Sequence, residues 1–278
     1  MADDRQDSIT GSDYLARQYG TDDALNIRIE THRRYGVAHQ DVFEAVCREG
    51  LERGPAPAHI LDLGAGTGNW YRAIRRLLPQ ETRYIGIDQS SGMVSRLEEM
   101  TDADPDAEVL VADAQTLPFA DESFDWVGAH YMLYHVPRIQ DAVNEAWRVL
   151  KPGGLFMAAT NGDHQYQEFI ELRDRVLHDL GLPPVTVHAS RFDLESGLEY
   201  FPVPPDIVRW PSGFVFDQSG PALRYLQSGA LFGGLSRQPD IWQAALDRCR
   251  EAIESEIHRR GHFSVHSETG IFIAAKPG

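Results

Sequence analysis

The chain has 278 residues, with 42 acidic against 26 basic side chains and a formal net charge of −16. A chain of this length can bury a core without disulfide or metal staples, and we expect one large domain or a domain with a cap. Because phosphate contacts require a basic face, the acidic balance argues against a nucleic acid as partner. The same balance suits neutral or cationic small molecules, and it can also serve solubility alone.

The composition predicts a cytoplasmic protein that does not enter a membrane. Residues 1–7 are too polar for a secretory signal, and no apolar run approaches the ~18 residues of a membrane span. Two cysteines, Cys47 and Cys249, cannot form a framework of disulfides or metal ligands. We interpret them as half-buried thiols in a reducing compartment. The sequence contains no signal for the oligomeric state.

In chain order, residues 1–10 predict no regular structure, and residues 11 to about 53 carry helical patterns that break at Tyr19-Gly20 and Tyr35-Gly36. Residues 54–57, GPAP, predict a linker. Beyond it, strands and helices alternate, which favours an α/β fold with a mostly parallel sheet and helices on both faces. The predicted elements are strand 58–63, helix 68–78, strand 83–88, helix 91–100, strand 108–112, strand 124–129, helix 138–150 and strand 154–160.

The first predicted strand runs directly into a glycine-rich turn. This turn comprises Gly64, Ala65, Gly66, Thr67 and Gly68. Glycines permit positive φ and lack the Cβ atoms that would keep a ligand away from the backbone, so a strand followed by such a turn predicts a nucleotide site. A dinucleotide motif G-x-G-x-x-G would need glycine at position 69, which is Asn69 here. The spacing therefore argues against a dinucleotide.

An aspartate stands at the end of each of the next two predicted strands. Asp88 ends the second strand, where a carboxylate can accept hydrogen bonds from both hydroxyls of a ribose. Asp113, followed by Ala114, ends the third strand, and its carboxylate can accept a hydrogen bond from an adenine amino group. Gln89 and Met93 follow Asp88 closely, and we expect them beside the adenine.

Taken together, these segments resemble the class I S-adenosylmethionine-dependent methyltransferases, in the small-molecule, type 11-like branch. The hallmarks LDLGxGTG, an Asp, DAxxLPF and LKPGG match residues 61–68, Asp88, residues 113–119 and residues 150–154. The resemblance covers roughly residues 58–160. It implies an enzyme with a Rossmann-like, seven-stranded, mostly parallel sheet. It further implies S-adenosylmethionine as cofactor and methyl transfer to a small-molecule acceptor by in-line displacement.

The resemblance also organises the rest of the chain. A helix at about 165–180 precedes a stretch with six prolines, which limit it to short edge strands and turns, and we interpret this stretch as an insertion over the active site. Residues 262–266 and 270–275 predict a hairpin that supplies the last two strands. The predicted segments are an N-terminal helical lid (1–53), the cofactor-binding core (54–162), a cap insertion (163–238), and a C-terminal helix and hairpin that complete the core (239–278).

Two histidines follow the fourth predicted strand. A hydroxyl or protonated amine acceptor must lose a proton, and the imidazole of His135 titrates in a suitable range. His135 is therefore the candidate general base, although its ring could instead hydrogen-bond backbone and close the loop before Pro137. His130 stands at the strand end, where we expect it to pack against the methionine part of the cofactor.

Further candidates lie in the N-terminal segment, which covers the cofactor as a lid in the enzymes that this chain resembles. The hydroxyls of Tyr14 and Tyr19 could orient the acceptor, and their rings could attract the sulfonium; packing in a core is the alternative. Arg28 shares a helix face with His32, four residues later. The forked donors of Arg28 suit the carboxylate of the cofactor, and a solvated face is the alternative.

The sequence leaves other functions open. The fold could bind S-adenosylmethionine and modify or sense it without methyl transfer. A nicotinamide dehydrogenase is a further alternative, which Asn69 and the segment at Asp113 disfavour. A magnesium site would need several oxygens where Asp113 offers one carboxylate, so we expect no metal. Neither the acceptor nor the methylated atom type can be read from the sequence.

Overall fold

The computed structural model describes residues 22–37, 40–185, 190–229 and 231–278. The candidate residues Tyr14 and Tyr19 lie outside this part of the chain. The helices are α1 (Asp22–Tyr35), α2 (Val42–Arg53), α3 (Asn69–Leu77), α4 (Ser91–Thr101), α5 (Ile139–Val149), α6 (Gln167–Asp179), α7 (Ser219–Ser228) and α8 (Pro239–Arg260). The strands are β1 (His59–Leu63), β2 (Arg83–Asp88), β3 (Ala107–Val111), β4 (Phe124–Ala129), β5 (Leu150–Asn161), β6 (Asp206–Phe216) and β7 (Phe263–Ala275).

The strands of the described residues form one seven-stranded sheet in the order β3-β2-β1-β4-β5-β7-β6. The first five strands pair in parallel, and β7 runs antiparallel to β5. This arrangement confirms the predicted Rossmann-like, mostly parallel sheet. The strand order reverses at β1, which lies between β2 and β4, and ligands of such sheets bind beyond the carboxyl ends of the strands at this reversal.

Hydrophobic patterning explains why the central elements form. Strand β1 is buried from Ile60 to Leu63, as expected for a strand covered on both faces. Helix α5 buries one stripe of side chains at helical spacing, namely Ile139, Ala142, Val143, Ala146 and Val149. The predicted bounds of these elements agree with the structure to within a few residues.

The predicted C-terminal hairpin is wrong. Both predicted runs fall in one continuous strand, β7, which begins at Phe263, because the backbone stays extended through residues 267–269 instead of turning. The remaining strand, β6, comes from the proline-rich stretch that we interpreted as a cap insertion. Pro211 lies within β6, and β6 is the last strand of the sheet, where a missing N–H donor is tolerated.

The described residues divide into two compact units. One comprises 22–37, 164–185, 210–229 and 231–268, and the other comprises 40–163, 190–209 and 269–278. The second unit, which we call the sheet unit, contains the carboxyl ends of β1 to β4. The predicted four segments divide the chain differently, since α2 falls in the sheet unit and α8 in the other.

Cys47 in α2 and Cys249 in α8 are fully buried rather than half-buried. Both cysteines lie among the residues that their helices bury. Burial raises the pKa of each thiol to about 12, so both are inert at neutral pH. Within the described ranges, no helix combines the length and the apolar character that crossing a membrane requires.

Candidate functional site

The glycine-rich turn after β1 adopts a backbone that requires glycine. Gly64, Gly66 and Gly68 have φ values of 63°, 54° and 74°, in the left-handed region that other residues rarely adopt. A Cβ atom on Gly64 would lie 2.8 Å from Cβ of Met132. A Cβ atom on Gly66 would meet no atom closer than 3.9 Å, so this side of the turn is open to a ligand.

Asp88 ties the turn to the end of β2. Its Oδ2 accepts a hydrogen bond from Gly66 N (3.1 Å), and its Oδ1 accepts one from Ser90 N (2.9 Å). Burial raises the pKa of Asp88, while the backbone N–H donors act in the opposite direction. Each carboxylate oxygen has a second lone pair, which leaves Asp88 able to accept hydrogen bonds from a ligand. Gln89 is exposed beside it, and Met93 is half-buried in the first turn of α4.

Asp113 lies exposed at the end of β3 and is held by Gln115. The amide Nε2 of Gln115 lies 3.0 Å from both carboxylate oxygens of Asp113, and the backbone N of Gln115 donates to Oδ1 at 2.9 Å. The carboxylate therefore has a defined orientation despite its exposure. Ala114, by contrast, is buried and packs in the core.

Asp62, in β1 just before the turn, is buried with 2% exposure. Its Oδ2 accepts a hydrogen bond from the phenol of Tyr84 at 2.8 Å. Burial raises the pKa of Asp62 to about 7; the Tyr84 hydrogen bond lowers it, and the nearby charge of Asp88 raises it further. The charge of Asp62 therefore changes near neutral pH.

The segment 130–137, which we call the β4 loop, has a strained residue at its second position. Tyr131 has a φ of 56°, which for an aromatic side chain must be enforced by its surroundings. Its backbone N donates to the carbonyl of Ala159 at 2.9 Å, and its hydroxyl lies 2.7 Å from Oγ1 of Thr269. These contacts bring the next residue, Met132, against Gly64.

His130 is held in a buried structural position. Its Nδ1 accepts a hydrogen bond from Ala159 N at 3.3 Å, which assigns the proton of the neutral ring to Nε2. The ring stands edge-on to Trp70, with 4.5 Å between centroids, and to Phe43 at 6.0 Å. Burial lowers the pKa of His130 to about 3. The ring is therefore neutral, and contact with the cofactor stays a prediction.

His135 ends the 3-10 turn Leu133–His135 in the β4 loop. Its backbone N donates to the carbonyl of Met132 at 2.9 Å, and its half-buried ring packs against Tyr134 at 4.4 Å. Burial lowers the pKa of His135 to about 4. The ring is thus neutral and able to accept a proton at pH 7, although it is a weaker base than a solvated imidazole. Its roles as base or as loop residue both stay predictions.

Arg28 lies in the unit that does not contain the strand ends described above. Its Nη2 donates to the carbonyl of Ser228 at 2.5 Å, which uses one of its five N–H donors. His32, on the same helix, packs its ring against Phe214 with 4.7 Å between centroids. A contact from Arg28 to the cofactor stays a prediction.

Some residues of the site were missed by the sequence reasoning. Gln115 lies within the DAxxLPF motif, two residues after Asp113, so the sequence offered a signal that its amide could contact that carboxylate. The strain at Tyr131 and the contact of Met132 with Gly64 left no signal in the sequence, because they depend on how β4 ends in three dimensions. In the part of the chain that the structure describes, no three His, Cys, Asp or Glu side chains are placed to hold a metal. Independence from metal remains a prediction.

Known proteins share this sequence pattern. Residues 61–158 match the family model described as a methyltransferase domain. Over 130 residues the chain is 34% identical to the malonyl-acyl-carrier-protein O-methyltransferase of Methylococcus capsulatus, a match that covers 46% of this chain and 47% of that protein. Over 184 residues it is 28% identical to the 2-phytyl-1,4-naphtoquinone methyltransferase of Thermosynechococcus vestitus, with 65% and 80% covered.

A solved structure shares the fold. The YcgJ protein from Bacillus subtilis superimposes with a TM-score of 0.55 at 17% identity, over 85% of this chain and 99% of that one. A likeness at this identity concerns the fold alone. The match to the Methylococcus protein spans about half of that relative's length, so the acceptors that the relatives' names print describe the relatives.

Proposed function

Because the chain belongs to the class I S-adenosylmethionine-dependent methyltransferases, we propose that it transfers a methyl group from S-adenosylmethionine to a small-molecule acceptor by in-line displacement. One observation carries this proposal. The glycine turn, Asp88 and Asp113 follow three neighbouring parallel strands in the order in which the family uses them. They lie beside the reversal of strand order, where such sheets bind ligands.

The residues of the sheet unit fit the cofactor. The open side of the turn at Gly66 accommodates a ligand against the backbone. The carboxylate of Asp88 has lone pairs left for two ribose hydroxyls, and Asp113 presents an exposed acceptor for an adenine amino group. When bound, the cofactor would supply an electrophilic methyl group on a sulfonium sulfur, from which a neutral thioether is an excellent leaving group. The protein then has to align the acceptor and exclude water.

His135 is the group that we propose to handle the acceptor's proton. A protonated amine must lose a proton before it attacks the methyl group, and a hydroxyl must lose its proton as the new bond forms. The neutral ring of His135 has a lone pair for that proton. Since burial lowers the pKa of His135 to about 4, the ring carries no proton on its acceptor nitrogen at pH 7. We further propose that no metal takes part, so positioning and proton removal provide the catalysis.

The charge of the chain bears on the kind of acceptor. The two relatives act on acceptors of different kinds according to their names, one of them attached to a carrier protein. We propose a small molecule for this chain because its net charge of −16 disfavours nucleic acid. Neutral and cationic acceptors suit such a surface best.

Calorimetry and a labelled methyl group test the proposal. The protein should bind S-adenosylmethionine and S-adenosylhomocysteine with micromolar dissociation constants and should not bind NAD. The protein is incubated with S-adenosylmethionine that carries a deuterated methyl group and with a panel of phenols, carboxylates and amines. Mass spectrometry should then detect a deuterium-labelled small-molecule product. Absence of cofactor binding would contradict the family's chemistry for this chain. Tight binding without labelled product across the panel would instead favour a protein that senses or modifies the cofactor.

A further inference from the structure

Gln115 makes two sets of contacts with the two ends of its side-chain amide. The nitrogen Nε2 lies 3.0 Å from both carboxylate oxygens of Asp113. The oxygen Oε1 accepts a hydrogen bond from the backbone N of Arg138 at 3.1 Å. One side chain therefore joins the end of β3 to the residue that immediately precedes α5. Gln115 is half-buried, whereas Asp113 and Arg138 are exposed.

The nitrogen end restricts the orientation of the Asp113 carboxylate. An exposed carboxylate otherwise samples several rotamers, and ordering it upon ligand binding costs conformational entropy. A donor shared between the two oxygens fixes the plane of the group. Because the backbone N of Gln115 donates to Oδ1, Oδ2 is the oxygen that keeps a lone pair for a ligand. An amino group that approaches from the open side then meets an acceptor that is already aligned.

The oxygen end caps the helix that follows the β4 loop. The first N–H groups of a helix have no partner within the helix, and Arg138, the N-cap residue of α5, makes no capping bond with its own side chain. The amide oxygen of Gln115 supplies an acceptor there from 23 residues away. This contact keeps Gln115 in place, so that its nitrogen end faces Asp113.

A separate set of contacts holds the same segment to the far end of α5. Leu117 N donates to Oε2 of Glu145 at 2.7 Å, and Nη2 of Arg148 donates to the carbonyl of Leu117 at 3.2 Å. Arg148 also donates to the carbonyl of Phe119. Residues 117–119 are therefore anchored independently of Gln115. Loss of the Gln115 amide should change the orientation of Asp113 without unfolding the segment.

We propose that Gln115 is a positioning residue that aligns the Asp113 carboxylate for an exocyclic amino group and thereby sets the selectivity of the site for adenine over a base with a carbonyl in that place. This inference rests on the proposed function, since it takes the adenine of the cofactor to meet Asp113. The chemistry that it requires is hydrogen bonding alone, and no bond is made or broken.

The test compares S-adenosylhomocysteine with S-inosylhomocysteine, in which a carbonyl replaces the amino group. Both are titrated by calorimetry into the wild-type protein and into the variants Gln115→Leu and Gln115→Glu. Gln115→Leu removes both ends of the amide. Gln115→Glu keeps an acceptor for Arg138 N but places a second carboxylate against Asp113. Both variants misalign the acceptor of the adenine amino group without removing it. We therefore expect the affinity for the adenine ligand to fall about three- to tenfold, less than the loss of a whole hydrogen bond to a charged group would cause, with little change for the inosine ligand.

Two controls separate alignment from a general structural effect. Gln140→Leu removes a side-chain amide on α5 that donates to Asn144 Oδ1 and to the carbonyl of Tyr200, and it should leave both affinities unchanged. In an Asp113→Asn background, Gln115→Leu should have no further effect on the ratio of the two dissociation constants, because Gln115 acts through that carboxylate. The melting temperature of Gln115→Glu should stay close to that of the wild type.

The outcomes are distinct. The inference would be overturned if the ratio of the two dissociation constants stayed unchanged in both Gln115 variants, whether neither affinity changed or both fell equally. In either case wild-type binding of S-adenosylhomocysteine would leave the proposed function standing. If the wild-type protein bound neither ligand, the proposed function and the inference would fall together.

Discussion

The ends of β2 and β3 and the β4 loop hold their polar side chains by different physical means. Asp88 and Asp113 each receive hydrogen bonds from backbone or amide N–H groups, and they remain partly or fully exposed. In the β4 loop, burial lowers the pKa values of His130 and His135 to about 3 and 4. The first region is arranged to accept hydrogen bonds from a ligand, and the second to keep neutral rings away from water.

This contrast separates the expected effects of substitution. A carboxylate that accepts ligand hydrogen bonds contributes to the ground state, so its loss should appear in affinity. A neutral ring that takes a proton during the reaction contributes to the transition state, so its loss should appear in rate. Tyr131 lies in the β4 loop with a strained backbone, and strain of this kind persists where the surrounding structure holds it.

The largest effect is expected in the β4 loop. Replacing His135 by Ala removes the proposed base and should lower kcat by about 10²–10⁴ while cofactor affinity and melting temperature stay close to wild type. Since burial lowers the pKa of His135 to about 4, wild-type kcat should stay flat from pH 8 to pH 6 and should fall as pH approaches 4, where the ring becomes protonated.

The variant His135→Gln is the matched control. An amide can keep one hydrogen bond of the loop but cannot accept a proton at neutral pH. Near-complete turnover by His135→Gln would show that the ring only holds the loop. The same conclusion would follow if His135→Ala lost stability in proportion to activity. Either result would favour an acceptor that is already nucleophilic when it binds.

The next largest effect is expected at the end of β2. Asp88→Ala removes the proposed partner of the ribose hydroxyls, and because hydrogen bonds to a charged group contribute about 1.5–3 kcal/mol, the dissociation constant for S-adenosylhomocysteine should rise at least about tenfold. Asp102→Ala removes the same charge from an exposed position beyond α4 and should leave that constant unchanged. Equal affinities for Asp88→Ala and wild type would mean that the ribose lies elsewhere.

A smaller effect concerns Asp62. This residue lies beside the turn, but burial is the main cause of its pKa shift, as it is for the histidines of the β4 loop. Burial raises its folded-state pKa from 3.8 to about 7, so its contribution to stability is fully present below pH 3.8 and is lost as pH rises towards 7. Asp62→Asn stays neutral at every pH. Its unfolding free energy relative to wild type should therefore increase between pH 5 and pH 7.5, by about 1.4 kcal/mol for each pH unit over which Asp62 is charged only when unfolded.

Urea titrations of both proteins at several pH values measure this difference. His130 contributes the opposite trend, since its lowered pKa makes stability fall as pH drops from 6.5 towards about 3. That trend is common to wild type and Asp62→Asn and cancels in the comparison. A difference in unfolding free energy that does not change with pH would mean that Asp62 is charged throughout this range.

The smallest expected effect is that of chelation. We predict that methyl transfer survives EDTA, because Asp113 offers a single carboxylate where a magnesium site needs several oxygens. The measurement is the initial rate before and after dialysis against the chelator. Complete loss of activity that Mg²⁺ restores would contradict the metal-independent mechanism and would point to a diol acceptor that shares the ion with the protein.

The sequence predicted the sheet unit much better than the C-terminal third of the chain. Strands β1, β2 and β4 and helix α5 were identified nearly to the residue, because each has a local apolar pattern that ends in glycine, proline or a polar group. The error lay in β7, where two apolar runs around residues 267–269 looked like a hairpin. Long-range pairing of β7 with its two neighbours in the sheet, β5 and β6, keeps that segment extended, and such pairing has no local signature.

Local sequence determined the turn at Gly64–Gly68 and the carboxylates Asp88 and Asp113, because a strand end, a left-handed turn and a side-chain charge depend on a few consecutive residues. Only the tertiary structure decided how those groups are tuned. The proton affinities of Asp62, His130 and His135 depend on burial by distant segments. The backbone of Tyr131 and the alignment of Asp113 by Gln115 depend on contacts with β5, β7 and the start of α5. Desolvation and long-range hydrogen bonds are properties of the packed chain, so no single segment of the sequence encodes them.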